Sequence, residues 1–337
     1  MGAGRDAGRI PRRESARAAP PLLRRRRARP RARRAHRARP DRRSRRPARA
    51  RRAAGARRRV GRRARARRAR RAGRRLRRRR VPFGERRARG AGGVNVTFVG
   101  TSDAFGAGGR RQAAIFVETA SGGILLDCAP TTGTGLAALG IPRSAVDAIA
   151  LSHFHSDHFA GVPQFLLAAI YEDRRRQPLV VAGPRGVEAR VRGVAQAVGY
   201  SLEDRELPFP LRWVELAPGE RADLGPASAS VFATRHQPES CPHGIRLEAG
   251  GRRLVYSGDT GWFDGLAEHA RGADLFVCEC TFYETPLAEH LTYRTFAEQA
   301  RGFDCGRLVL THLGSEMSGR RGQLAFETAD DGMRLRV

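Results

Sequence analysis

A layered α/β domain beginning near residue 94 is predicted by three observations. Short β-rich runs bounded by Gly, Asp or Pro recur along the chain, several of them feed a loop and then a segment of helical spacing, and no internal repeat is present. VNVTFVG, AAIFVET and GGILLDCAP open the domain as an antiparallel sheet. AVDAIALS (145–152) is a largely apolar strand. It runs into the loop HFHSDH and then into FAGVPQFLLAAIYEDRRR, whose spacing is helical and whose end is basic. PLVVAG leads to a helix near 187–198, and LRWVEL, ASVFATRH, HGIRLEA, RRLVYSGDT, ADLFVCECT and RLVLTHLG are further strands. The apolar strands at 145–152, 252–257, 274–280 and 307–311 each end in residues able to bind metal or move protons. Strand ends hold side chains on a rigid scaffold while loops leave them open to substrate.

The first 93 residues are a different polymer. They hold 41 Arg against four acids, a net of +37, in a chain whose total is +32, so residues 94–337 are mildly acidic at −5. A sequence pI of about 11.7 would point to a nucleic-acid binder, yet that charge belongs to the tail and not to the part able to fold. With few large apolar residues to offset ordering entropy, residues 1–93 are expected to be disordered. All 65 basic residues are Arg, the mark of GC-rich coding DNA, and a start placed upstream of the native one at Val81 or Val94 would account for the segment. A basic arm gripping phosphate is the functional alternative. The expected organisation is a disordered Arg/Ala/Pro-rich segment over 1–93 and one hydrolase domain over 94–337.

No apolar core of signal-peptide length follows the basic start. The longest apolar stretch, Val162 to Tyr171, falls short of the roughly 18 residues of a membrane span. A soluble cytoplasmic protein without membrane contact is expected. Five cysteines, an odd number without a disulfide-like framework, fit a reducing compartment.

The chemistry concentrates in His153, His155, Asp157 and His158, an H-x-H-x-D-H pattern directly after a strand. On an extended loop, residues two apart point the same way, so His153 and His155 reach one ion while Asp157 and His158 turn toward another. His236, Asp259 and His312, each at the end of a strand, complete the candidate metal ligands. His290 stands near a helix start capped by Thr292, where its surroundings alone offer a surface role. Asp127 ends its strand, where a plain turn residue is expected. Cys278 and Cys280 share a strand face and are read as core. His243 is placed in a turn near His236, in reach of substrate, and His269 on a solvated helix.

The series GTSDAF (101–106), ILLDC (124–128), SHFHSDH (152–158), TRH (234–236), YSGDT (256–260), EHLT (289–292) and LTHLG (311–314) resembles the metallo-β-lactamase superfamily, and within it the ribonuclease Z-like branch. The resemblance runs from about Val94 to the C-terminus. It implies an αββα sandwich with two metals at one edge. It also implies that His153, His155 and His236 hold one zinc, that Asp157, His158 and His312 hold the other, and that Asp259 bridges them. Asp157 and His290 are the implied catalytic residues, His290 acting at the leaving group, and Asp127 stands where the family keeps an acidic residue that orients a ligand His. Imidazoles and carboxylates suit zinc, and without a cysteine ligand Mn or Fe is also compatible. A water between two such ions loses a proton near neutral pH and attacks phosphorus or a carbonyl carbon.

The bond is narrowed by what the chain lacks. Only 22 residues separate His236 from Asp259, too few for the tRNA-gripping arm expected there in ribonuclease Z; 25 residues after His312 leave no room for a helical thioesterase domain; and Asp259 stands where zinc β-lactamases carry Cys. The favoured reading is a phosphodiesterase of a small-molecule ester. An arylsulfatase or carboxyl-ester (lactone, thioester) hydrolase, a ribonuclease Z-like tRNA 3'-processing nuclease recruited through the basic arm, and a non-catalytic metal-binding module are the alternatives. A homodimer is compatible with the resemblance.

Overall fold

The computed structural model describes residues 93–202 and 206–337. Its β-rich runs pair into two sheets. The first is built from β1 (Asn95–Gly100), β2 (Ala114–Thr119), β3 (Gly122–Leu126), β4 (Ala148–Ala150), β5 (Leu179–Gly183) and β6 (Leu211–Glu215). The second is built from β7 (Arg221–Asp223), β8 (Ser228–Ala233), β9 (His243–Ala249), β10 (Arg252–Tyr256), β11 (Leu275–Glu279) and β12 (Leu308–Thr311). A last strand, β13 (Arg334–Arg336), returns to pair with β1. The orders are β13-β1-β2-β3-β4-β5-β6 and β12-β11-β10-β9-β8-β7. Each sheet is part antiparallel and part parallel, the parallel strands being β3 to β6 in one and β10 to β12 in the other. Between β9 and β10 the chain reverses at Gly250 and Gly251, both left-handed (φ 57° and 76°), the backbone that a two-residue hairpin turn demands.

Alternation along the strands sorts the side chains into layers. Ala148 and Ala150 of β4 face the space between the sheets, with Leu254, Tyr256, Leu275 and Val277 opposite. The intervening Ile149, with Leu151 just after the strand, turns outward against α3 (Val162–Tyr171) and α4 (Val187–Ala197). On the second sheet Val255, Phe276 and Cys278 turn outward to Leu266, Phe296 and Met317, carried by α5 (Leu266–Ala270), α6 (Tyr293–Gln299) and α7 (Ser315–Ser318). The result is helix, sheet, sheet, helix, the predicted αββα sandwich. Fully burying a Leu, Ile or Phe contributes about 1.5–3 kcal/mol, so three apolar clusters with several such residues each dominate the stabilisation. Cys278 and Cys280 belong to the outer cluster, and burial pushes both thiols well above their ordinary range, as the core reading requires.

Two local expectations are corrected. The predicted strand at 145–152 is only three residues long, because a 3-10 turn occupies Arg143–Ala145 and Ser152 leaves the sheet to donate its N–H to Asp127. The helix expected from Phe159 starts earlier, as a separate turn at Ser156–Phe159. It breaks at Gly161, where any Cβ would lie 2.0 Å from the Ala129 carbonyl. Among the described residues no helix is long and apolar enough to cross a membrane. Apart from Gly93, the segment 1–93 expected to be disordered lies outside the described residues.

Candidate metal centre

The C-terminal ends of strands from both sheets meet at one edge of the sandwich. β3 runs out at Asp127 and β4 leads to His153. From the second sheet, β8 leads to His236, β10 to Asp259, β11 ends at Glu279 and β12 leads to His312. All seven predicted ligands are brought together in two groups whose donor atoms lie within 4.8 Å of one another. One is His153, His155, His236 and Asp259, and the other is Asp157, His158, Asp259 and His312. Asp259 is common to both. His290 stands beside them with Glu279 and His312 in a third group.

The H-x-H-x-D-H segment is not the extended loop expected from its spacing. His155 is extended (φ −76°, ψ 146°) but Ser156–Phe159 is a helical turn. That turn, and not strand-like alternation, carries Asp157 and His158 to the second group.

Each imidazole has one nitrogen held outside the cluster and one directed into it. The Nδ1–H of His158 donates to Asp127 Oδ2 at 2.8 Å, and that of His236 donates to the Glu289 carbonyl at 2.8 Å. Ser152 Oγ donates to Asp127 at 2.9 Å and therefore accepts from His153 Nδ1 at 3.0 Å. Thr281 Oγ1 donates to Glu279 at 2.9 Å and accepts from His312 Nδ1 at 2.8 Å. His155 is turned the other way, its Nε2–H donating to Gln237 Oε1 at 3.1 Å. These acceptors assign the tautomers. Four Nε2 lone pairs and the Nδ1 lone pair of His155 face inward, an arrangement that outer partners commonly impose on metal-ligating histidines.

Lone pairs facing one another at short range repel unless a cation lies between them. His155 Nδ1 is 3.0 Å from His236 Nε2, and His158 Nε2 is 3.3 Å from His312 Nε2. His153 Nε2 and Asp259 Oδ1 are buried without a hydrogen-bond partner, although His158 Nε2 approaches Asp259 Oδ1 to 3.3 Å. Donors about 2.1 Å from a tetrahedral ion sit about 3.4 Å apart. Asp259 Oδ2 lies 3.7, 4.0 and 3.5 Å from His153, His236 and His312, and Asp157 Oδ2 lies 3.2 and 3.4 Å from His158 and His312. The residues fit two cations.

The buried carboxylates favour positive charge at the centre. Burial alone pushes His158 and His312 down, but Asp259, with Asp157 and for His158 also Asp127, more than offsets it and raises both. Burial likewise works against the Asp259 carboxylate, yet His158 and His312 hold it well below the ordinary range. His153 goes the other way: burial and then His158 push it well below its ordinary value, so it presents a neutral nitrogen.

His290 is held differently. Its Nδ1 lies 2.8 Å from Glu279 Oε1, and its ring stacks on His312 at 5.6 Å and 10°. Burial pushes this imidazole down, the Glu279 carboxylate more than offsets that, and its pKa rises to about 9. Glu279 escaped the sequence reading. It is fully buried and also accepts the N–H groups of Thr260 (2.8 Å) and Thr281 (3.1 Å). The available signal was a lone carboxylate inside the apolar strand LFVCE. Asp127 is both a turn residue and an orienting group: its φ is +59° and it receives His158, Ser152 and the Tyr256 hydroxyl. His312 is left-handed too (φ +57°), so two residues at the centre hold a backbone that non-glycine residues seldom adopt. The turn expected around His243 is not found. It opens β9 with its Nε2–H on the Leu151 carbonyl (3.0 Å), and burial takes it down to about 4, the signature of a core histidine. His269, predicted to be solvated, is half-buried with its ring stacked on Phe232.

The family described as the beta-lactamase superfamily domain matches residues 123–313. A ribonuclease Z of Bradyrhizobium sp. (strain ORS 278) is 29% identical over 272 residues, covering 65% of this chain and 89% of the relative. The crystal structure of human tRNase Z, short form, aligns with a TM-score of 0.58 at 24% identity, over 72% of this chain and 98% of that one. That of a diphosphatase from the PhnP family aligns with a TM-score of 0.57 at 17% identity, over 72% and 97%. With the family matched over more than half of its length, the chain belongs to the beta-lactamase superfamily, on its ribonuclease Z-like branch, and is a metal-dependent hydrolase.

Proposed function

We propose that this hydrolase is a dinuclear phosphodiesterase of small substrates, with its apparatus contained in residues 94–337. The observation that carries the reading is the convergence of five inward imidazole nitrogens on Asp157 and Asp259, each ring fixed from outside by an oxygen. His153, His155 and His236 would hold one zinc ion, Asp157, His158 and His312 the other, and Asp259 both. A donor set without thiolate also accommodates Mn or Fe. When bound, the ions supply a water acidic enough to act as nucleophile near neutral pH and neutralise charge developing on the substrate's oxygens.

The chain's own residues do the rest. Asp157 is held ionised by His158 and His312 against the effect of burial, so it orients the attacking water rather than storing its proton. His290 is anchored through Nδ1 by Glu279, whose carboxylate favours the charged imidazole, and delivers the proton on Nε2 to the departing alkoxide. Small substrates are favoured by residues 237–258, which are used up by a 3-10 turn and the β9–β10 hairpin, leaving no arm to grip a large RNA. The second reading, a ribonuclease, draws on the relative named ribonuclease Z, which this chain matches over 89% of its length.

The test is to purify the full chain, count bound metals by mass spectrometry, and assay bis(p-nitrophenyl) phosphate beside a precursor tRNA. Two metals with chelator-sensitive diester hydrolysis and no tRNA cleavage support the first reading. Cleavage of tRNA at lower enzyme concentration than the diester supports the second. Two metals without either activity overturn both.

A further inference from the structure

Glu316 lies outside the proposed ligand set and the proton-donor pair, yet it ties them together. It sits on α7, four residues beyond His312. Its Oε2 accepts the backbone N–H groups of Tyr283 (2.9 Å), Glu284 (3.1 Å) and Thr285 (3.4 Å), and its Oε1 accepts the Thr285 hydroxyl. Consecutive amides pointing at one carboxylate form an anion nest with charge-assisted hydrogen bonds. The Thr285 hydroxyl and these amides hold the carboxyl down to about 2, so it is ionised at working pH.

The three residues of the nest begin the loop that carries His290 from the end of β11 to α6. Residues 284–288 of that loop are exposed, and Glu284 pairs back to Arg294 on α6 at 2.6 Å. The Ala288 carbonyl packs on Gly261, where an added Cβ would lie 1.8 Å away, and the Glu289 carbonyl receives His236. At the loop's start Tyr283 is stacked on Tyr293 at 5.5 Å, with the Arg320 guanidinium 4.3 Å from its ring centre. The Glu316 carboxylate closes the same turn from the backbone side.

We infer that Glu316 is a positioning residue: through the turn at 283–285 it sets where the His290 imidazole stands relative to His312. The inference rests on the reading of His290 as proton donor. It predicts that loosening the turn harms proton delivery while sparing the metal site.

The experiment uses full-length, metal-loaded wild type, Glu316→Ala, Glu316→Gln, His290→Ala and the Glu316→Ala/His290→Ala double variant on methyl p-nitrophenyl phosphate and methyl phenyl phosphate. Glu316→Ala should lower kcat on the phenyl ester about tenfold to about a hundredfold, with KM and metal content unchanged. The loss should be smaller on the p-nitrophenyl ester, whose leaving group needs no proton. Glu316→Gln, keeping one acceptor oxygen, should recover part of it, and the double variant should be no slower than His290→Ala. Equal losses on the two esters, or additive losses in the double variant, would overturn the inference. A second arm measures amide exchange in the full-length protein as purified. Faster exchange at 283–290 in Glu316→Ala supports the tie, and unchanged exchange overturns it. If wild type hydrolyses neither ester, the functional reading falls while the exchange arm still decides the tie.

Discussion

The two sheets contribute to the centre in different ways. The first supplies His153, His155, Asp157 and His158 from six consecutive residues after one strand, backed by Asp127 from its neighbour. The second supplies His236, Asp259, Glu279, His290 and His312 from strand ends and a loop spread over more than seventy residues. The compact half is a local motif whose geometry follows from one loop and one helical turn. The dispersed half exists only because β8, β10, β11 and β12 are in register, so its side chains depend on the packing of a whole sheet edge. Damage to the first half should stay within one loop and its Asp127 support, and damage to the second should spread along a whole sheet edge.

The largest effect is expected where the halves meet. Asp259→Ala removes the carboxylate shared by both groups, so metal content should fall from about two per chain toward zero and diester hydrolysis to background. Retention of both metals would show that Asp259 does not join them. His290→Ala leaves every proposed ligand in place and should cost about 10²-fold or more on esters with poor leaving groups, metal content being unchanged. Asp127→Asn, which weakens the hold on His158 Nδ1, should cost about 10- to 100-fold in metal affinity, read by competition with a chelator.

A pH profile sharpens the contrast further. His290 is raised from an ordinary 6.5 to about 9, so its charged form, and any stability it contributes, is fully present below 6.5 and lost as pH rises through about 9. Two bound cations would pull that value down, so the alkaline limb of activity should lie at or below about 9. Glu279→Gln removes the raising partner and leaves burial, so the limb should move to lower pH by about one unit or more. An unmoved limb would mean that another group controls it. The smallest effect is expected for Cys280→Ala, which trims a buried core thiol without touching the centre and should leave activity within about twofold.

The same contrast explains what could be read from the sequence. The H-x-H-x-D-H segment announces itself because four ligand-type side chains crowd six positions. His236, Asp259 and His312 were found because each follows an apolar strand, although their pairing across space came from the family resemblance. Strand alternation predicts faces but not which sheet a strand joins, so the αββα layering was not legible in residue pattern alone. Glu279 was missed because its neighbours Cys278 and Cys280 make the strand read as plain core; its meaning emerges only once Thr260 and His290 are seen to converge on it. Glu316 was invisible for a similar reason, since its partners are backbone amides thirty residues away. His243 misled because a histidine after Pro near a metal loop looks exposed, while β9 carries it into the space between the sheets.

The most direct test of the central claim is metal stoichiometry by native mass spectrometry on the full chain, with bis(p-nitrophenyl) phosphate turnover followed as a chelator removes the ions. The account predicts about two ions per chain and loss of turnover in step with their removal. A chain that binds none, or turnover that persists after the ions are gone, would contradict it.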